Sequence, residues 1–218
     1  LNMGGYYVRN GIYSIVKAMK QMAEELGVQF SLSEQVQSFK NKTHKTRILN
    51  GVETNRNSYT CDVVFSNCDA TITHTHIATD EQINRPKKQQ IAGIEPSCSG
   101  FVLLLGINKQ YEQLKHHNIF FSSDYKKEFK ELFRQNKPIE DPTIYIANTS
   151  YSDNHHAPEG HSNLFILVNA PYLSSKQKNW NDMALSYGDQ IIKKLEKLGL
   201  EGLFESIVRR QHISPQDF

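Results

Sequence analysis

The stretch Ser99-Gly-Phe-Val-Leu-Leu-Leu-Gly-Ile107 decides the architecture. Its apolar core, Phe101 to Leu105, is strand-sized, has a glycine on each side, and shows neither a 3.6-residue nor a strict two-residue period. A run of that kind suits a central strand buried on both faces. Two further apolar stretches downstream, Thr143–Asn148 and Leu164–Val168, provide neighbours for it. Trp180–Leu198 then supplies a covering helix whose apolar face is Ala184, Tyr187, Ile191, Leu195 and Leu198, stopped by Gly199. Between these, Tyr125–Phe133 is expected to be helical with Phe129, Leu132 and Phe133 on one face, ended at Asp141-Pro142.

Upstream of the decisive strand, Ile12, Ile15, Met19, Met22, Ala23 and Leu26 recur at three and four residues before Gly27, an amphipathic helix over Asn10–Leu26. Short β-type stretches follow at Val28–Phe30, Val36–Phe39, Arg47–Thr54 and Ser58–Ser66, the last with a buried-looking Val63-Val64-Phe65. Asn50-Gly51 is compatible with a hairpin turn or with one kinked strand. A helix is expected through Thr71–Ile83, capped by Asn67 or Asp69, followed by a linker at Arg85–Gln90. The expected fold is α+β: a mixed, largely antiparallel sheet covered by helices. The expected division is 1–96, a helix plus partial cofactor-domain strands, and 97–218, a substrate-binding domain.

Composition removes several function classes. With 25 Lys plus Arg against 23 Asp plus Glu and a net charge of +2, nothing favours nucleic acid as partner. Cys61, Cys68 and Cys98 are odd in number and lack C-x-x-C spacing, against a disulfide framework or a thiolate zinc site and in favour of a reducing, cytoplasmic compartment. No apolar run approaches the roughly 18 residues of a membrane span. The sequons at Asn41 and Asn148 are read as chance matches. The chain opens on Leu1 and closes on Ser214-Pro-Gln-Asp-Phe218, the start of a turn or helix, so truncation at both ends is expected.

The nine histidines invite a metal, but His74-x-His76, His116-His117 and His155-His156 with His161 bring no carboxylate or thiolate at a ligand offset. No metal site is assigned. His116-His117-Asn118 before the aromatic Ile119-Phe120-Phe121 is the exception of interest, because it places a polar side chain beside a wall of rings. A Gly-x-Ser-x-Gly elbow is absent, and Gly4-Gly5 with Gly11 fails the dinucleotide spacing and lacks the preceding strand.

Several segments together resemble the carotenoid desaturase family, which takes in phytoene dehydrogenases, dehydrosqualene desaturases and related carotenoid oxygenases. They are Gly11–Met19 with Ala23–Val28, Asp62–Asp69, Pro96–Val102 with Leu105-Gly106, His116–Ser122, Asp141–Tyr145, Asp153, Ala157–Gly160, Leu167-Val168 and Ser214–Phe218. Their order and spacing carry the likeness over almost the whole chain, and Asp141–Thr149 with the His-His-Asn-Ile-Phe-Phe run resembles bacterial C30 carotenoid oxygenase-like members somewhat more than plain desaturases. The resemblance implies an FAD-dependent flavoprotein with two dinucleotide-binding-domain halves, acting on C30 or C40 isoprenoids in carotenoid biosynthesis. The main flavin fingerprints of the family lie outside this sequence; the strand at Val36 is what remains of the cofactor contact. Phe101, Phe120, Phe121 and Tyr145 are the implied walls of a polyene tunnel, and His117 and Asn118 its polar candidates; no catalytic acid or base is assigned. A protein of this kind is expected at the inner face of the cell membrane, in peripheral contact with it. The alternative reading is a non-catalytic module that binds polyene or lipid.

Overall fold

The computed structural model describes residues 6–42, 48–78, 82, 85–173 and 179–217. The elements in chain order are α1 (Tyr13–Glu25), β1 (Val36–Asn41), β2 (Leu49–Thr54), β3 (Ser58–Thr60), α2 (Ala70–Ile72), α3 (Arg85–Ala92), β4 (Ser99–Ile107), β5 (His117–Phe120), α4 (Tyr125–Phe129), β6 (Ile144–Ala147), β7 (Ser162–Ala170), α5 (Trp180–Lys197) and β8 (Ile207–Ile213). The chain separates into two compact units, Leu1–Ser14 with Pro96–Phe218, and Ile15–Glu95. Among the described residues every strand pairing is antiparallel, in two sheets of order β1-β2-β3 and β5-β6-β7-β4-β8, and with the helices this makes the α+β fold expected from the sequence.

In the larger unit β4 lies between β7 and β8, as its unbroken apolar run predicts. Alternation divides its side chains between two faces, although Val102 on the second face is also buried. Phe101, Leu103, Leu105 and Ile107 are buried and face α5, and opposite them on β7 and β6 stand Val168, Ile166, Leu164, Ile144 and Ile146. Trp180, Ala184, Tyr187, Ile191 and Leu195 of α5 close this core. Its centre is aromatic: the rings of Phe101 and Trp180 stack at 5.6 Å, and Tyr187 meets Phe101 edge-on at 5.2 Å. Tyr187 donates to the carbonyl of Ile139 at 3.1 Å, and burial raises its hydroxyl pKa, so it stays a neutral donor. Leu198, expected on the buried face, is instead half exposed where the helix ends.

Asp141 docks α5 to the loop before β6. It accepts from the backbone and hydroxyl of Ser123 at 2.7 Å each and pairs with Lys194, which also donates to the carbonyl of Pro142 at 2.7 Å. Partial burial alone would raise the Asp141 carboxyl, but these partners hold it at about 2. The unfolded chain therefore binds the proton more readily, so the stabilisation is complete above pH ~4 and disappears as pH falls toward the folded value. Because the side chain is 39% exposed, Asp141→Asn is expected to cost only about 1 kcal/mol at pH 7. In urea titrations that gap between variant and parent narrows to nothing near pH 2; a gap unchanged from pH 7 to pH 2 would show the carboxylate is not its source.

The smaller unit holds the three-stranded sheet, and Phe39 of β1 packs on a small cluster of Ala78 and Ile91. Asn50-Gly51 lies inside the single strand β2 rather than in a hairpin, with an irregular register between Lys40 and Asn41 of its partner. Glycine is required there, since a Cβ on Gly51 would stand 1.9 Å from the carbonyl oxygen of Tyr59.

Several local expectations are corrected. Arg85–Ala92 is a helix, not a linker; Pro86 sits in its first turn, where a missing N–H is harmless. The helix expected over Thr71–Ile83 is α2, capped by Asp69, running into a π-turn that ends at Ile77; residues 79–81 and 83 lie outside the described set. Val28–Phe30 forms no strand, and Val63–Phe65 is likewise unpaired, with Phe65 almost fully exposed. After α4 a second π-turn, Lys130–Arg134, changes the phase. Leu132 is buried, but Phe129 and Phe133 are exposed and Glu128 and Glu131 turn inward instead. Glu128 accepts from Ser122, the Thr143 hydroxyl and the Thr143 backbone, and Glu131 pairs with Lys137 at 3.2 Å. Neither α1 nor its expected apolar stripe has a buried residue. Ser214–Asp217 is a turn closed by Asp217 on Ser214. Among the described residues no helix is long and apolar enough to cross a membrane.

Candidate functional site

The strand register that sends Phe101 toward α5 sends its neighbours to the opposite face of the sheet. Two rows cross that face: Ile119, Tyr145, Leu167, Val102 and Ile213, then His117, Ala147, Phe165, Leu104 and Gln211. Eight of these ten residues are apolar or aromatic, yet Ile119 and Phe165 remain 58% and 38% exposed. A solvated antiparallel sheet normally turns polar side chains outward. This one has a second apolar face left partly open, and a groove of about 250 Å³ runs along it, lined among others by Leu104, Gly106, Ala147, Asn163, Phe165 and Arg209.

The predicted site residues fall on both faces and beyond. Tyr145 lies on the open face, and its hydroxyl is 2.7 Å from His117 Nδ1, with the two rings stacked at 6.0 Å. Phe121 follows β5 and is exposed. Phe101 and Phe120 lie on the α5 side, Phe101 within the core and Phe120 against it. Asn118 is taken up by the backbone: its Oδ1 accepts from Lys115 N at 2.8 Å, and its Nδ2 donates to Lys115 O at 2.7 Å and to Ile146 O. Val36 opens β1 in the other unit, on a strand paired to β2 alone. Tyr145 and His117 are thus brought together, and the remaining candidates are not.

A second polar group gathers near His117. Its ring lies 4.4 Å from that of His116, which bonds Ser152 Oγ at 2.7 Å and contacts the Tyr7 ring at 5.1 Å. Tyr7 Oη reaches His156 at 3.3 Å, and His156 also bonds Thr149 and lies 3.6 Å from Asp153. Burial, and then the neighbouring His117 and His156, lower the His116 pKa, so its ring stays neutral at physiological pH. Among the described residues no three His, Cys, Asp or Glu side chains converge as metal ligands.

Residues the sequence reading passed over are Leu104, Ala147, Phe165, Arg209 and the whole of β8. Ile207-Val-Arg-Arg-Gln-His-Ile213 carries charges in its middle, as an edge strand does, and is given no element in the sequence reading. For Phe165 the available signal was parity, since in Leu164–Val168 alternate residues must face away from the core.

No family model matches the chain. It is 34% identical over 216 residues to the 4,4'-diaponeurosporene oxygenase of Staphylococcus haemolyticus. It is 31% identical over 217 residues to that of Staphylococcus aureus strain USA300, and each comparison takes in 98% of this chain. The chain matches a segment of these two oxygenases. It spans about two fifths, 42%, of the length of these relatives. Among solved structures, an oxidoreductase from Methanosarcina mazei superposes with a TM-score of 0.58 at 14% identity, over 93% of this chain and 42% of its own. A Pyrococcus furiosus protein superposes with the same score at 18% identity, over 94% of this chain and 43% of its own. These distant likenesses support the fold, and the carotenoid oxygenase match stands on the curated relatives.

Proposed function

We propose that this chain is the substrate-holding part of an FAD-dependent oxidoreductase that oxidises or desaturates long isoprenoid chains in carotenoid biosynthesis, and that the open sheet face is the wall on which the polyene lies. The observation that carries the reading is the apolar second face, Ile119, Tyr145, Leu167, Ala147, Phe165 and Leu104, on a chain of which 98% aligns with a segment of the oxygenase relatives. A hydrocarbon needs no polar partner, and burial of its surface contributes about 25 cal/mol per Å². The phytoene dehydrogenase type, the C30 or C40 chain length, and a cytoplasmic protein touching the inner face of the membrane belong to the same proposal.

The flavin fits this chain only in part. β1 is an edge strand able to offer backbone groups to an adenine at Val36, but among the described residues Gly11 precedes α1 with no strand before it, so no pyrophosphate cradle is formed. A bound flavin would supply the hydride acceptor, and no step is assigned through it here. The residues of this chain are proposed to bind and orient the substrate.

A binding assay tests the wall. Retinyl acetate, a neutral polyene, is expected to bind the purified chain with a shift in its visible or near-ultraviolet absorption band. Binding of flavin but of no polyene would move the substrate site to sequence outside this chain.

A further inference from the structure

The next row of the open face reads Asn163, Gly106, Arg209 across β7, β4 and β8. Its central position has no side chain. A Cβ on Gly106 would lie 3.3 Å from Arg209 Cβ and 3.9 Å from Val208 Cγ2, so even a methyl group crowds the arginine stem. The row is therefore a notch one side chain wide, with an amide on one bank and a guanidinium on the other.

Both banks present donors. Asn163 Oδ1 accepts from Thr149 Oγ1 at 2.9 Å and from Ser150 N at 3.2 Å, which fixes the amide and leaves Nδ2 as the free donor. Among the described residues the Arg209 guanidinium makes no hydrogen bond or ion pair. Arg210, its neighbour on the opposite face, differs: it bonds Asp189 at 2.6 Å and the carbonyl of Leu185 at 2.9 Å. Among the described residues no carboxylate lines the groove, and beyond the notch its lining is mainly apolar, Leu104, Ala147 and Phe165, with Thr149 and Gln211 as its uncharged polar members.

We infer that the notch over Gly106 binds the carboxylate end of an elongated apolar molecule whose body lies along Leu104, Ala147 and Phe165. A carboxylate is acceptor-only and matches two donors at once, and arginine presents its donors in a planar fork suited to it. A hydrocarbon end laid in the same place would strip the donors of water and give them no partner, which is unfavourable. The inference rests on the open face being the polyene wall and adds a preference for an oxidised chain end.

The test compares all-trans-retinoic acid with retinyl acetate, which share an apolar body and differ in charge at the end, by absorption titration of the purified chain. Arg209→Gln is expected to weaken retinoate binding by about tenfold, the loss of one charged hydrogen bond, with retinyl acetate unaffected. Gly106→Val, which keeps the guanidinium but fills the notch, is expected to act in the same direction, its fold checked by circular dichroism. Equal retinoate affinity in the parent and Arg209→Gln overturns the notch and leaves the wall standing. Failure of the parent to bind either ligand removes the wall itself, and the notch with it.

Discussion

Phe101→Ala is expected to lower the stability of the larger unit by about 3–5 kcal/mol, the range for removing a large aromatic side chain from a packed core. Phe101 has no exposed surface, stacks on Trp180 and meets Tyr187 edge-on, and lies over Val168 of β7. The cavity left behind is bounded by β4, β7 and α5, none of which can collapse into it without shifting the sheet. Trp180 is the only tryptophan of the chain and touches the missing ring, so its fluorescence reports unfolding directly. The loss would be a large share of a typical domain's 5–15 kcal/mol. Phe101→Leu, which keeps much of the volume, should cost clearly less. A cost below about 1 kcal/mol for Phe101→Ala would mean that the ring is not in the core.

Phe165→Asp is expected to have the opposite profile: little change in stability and a loss of polyene affinity of more than tenfold. Phe165 stands one residue from the buried Leu164 and Ile166, but faces the open side and is already 38% exposed. In the unbound protein its aspartate therefore remains solvated. With a polyene laid across Ala147, Phe165 and Leu104, the substitution removes about 60–100 Å² of apolar contact, roughly 1.5–2.5 kcal/mol, and places a charge against hydrocarbon. Titration with retinyl acetate, with Trp180 fluorescence as the folding control, separates the two effects. Unchanged affinity in a folded Phe165→Asp variant would exclude this face as the binding wall.

The contrast between these adjacent strands explains what the sequence reveals and what it withholds. β4 and α5 are legible because a nine-residue apolar strand and a heptad-like stripe from Ala184 to Leu195 have few alternative readings. Which aromatic residue faces which side is not legible from composition. Phe101 and Tyr145 look equivalent in one dimension, and only the register, Phe101 opposite Val168 and Tyr145 opposite Leu167, sends them to opposite faces. β8 escapes because an edge strand is stabilised by the hydrogen bonds of one neighbour and tolerates Arg209-Arg210. The α4 region misleads for a different reason. Its π-turn shifts the helical phase, and Glu128 is drawn inward by Ser122 and Thr143, a tertiary demand that outweighs the apolar periodicity of Phe129 and Phe133. The notch at Gly106 is legible only in retrospect, since it requires Asn163 and Arg209 from two other strands.

The resemblance noted in the sequence and the match to the two oxygenase relatives point the same way, while the carotenoid substrate, the flavin and the chemistry belong to the proposal. The most direct test of that proposal is visible spectroscopy of the protein carrying this chain, purified and incubated with dehydrosqualene, phytoene or a C30 carotenoid. The account predicts a bound-flavin spectrum together with conversion of one of these into a longer chromophore or an oxygenated product. A colourless protein that binds the polyene and leaves it unchanged would contradict it, and would make the open face the surface of a carrier.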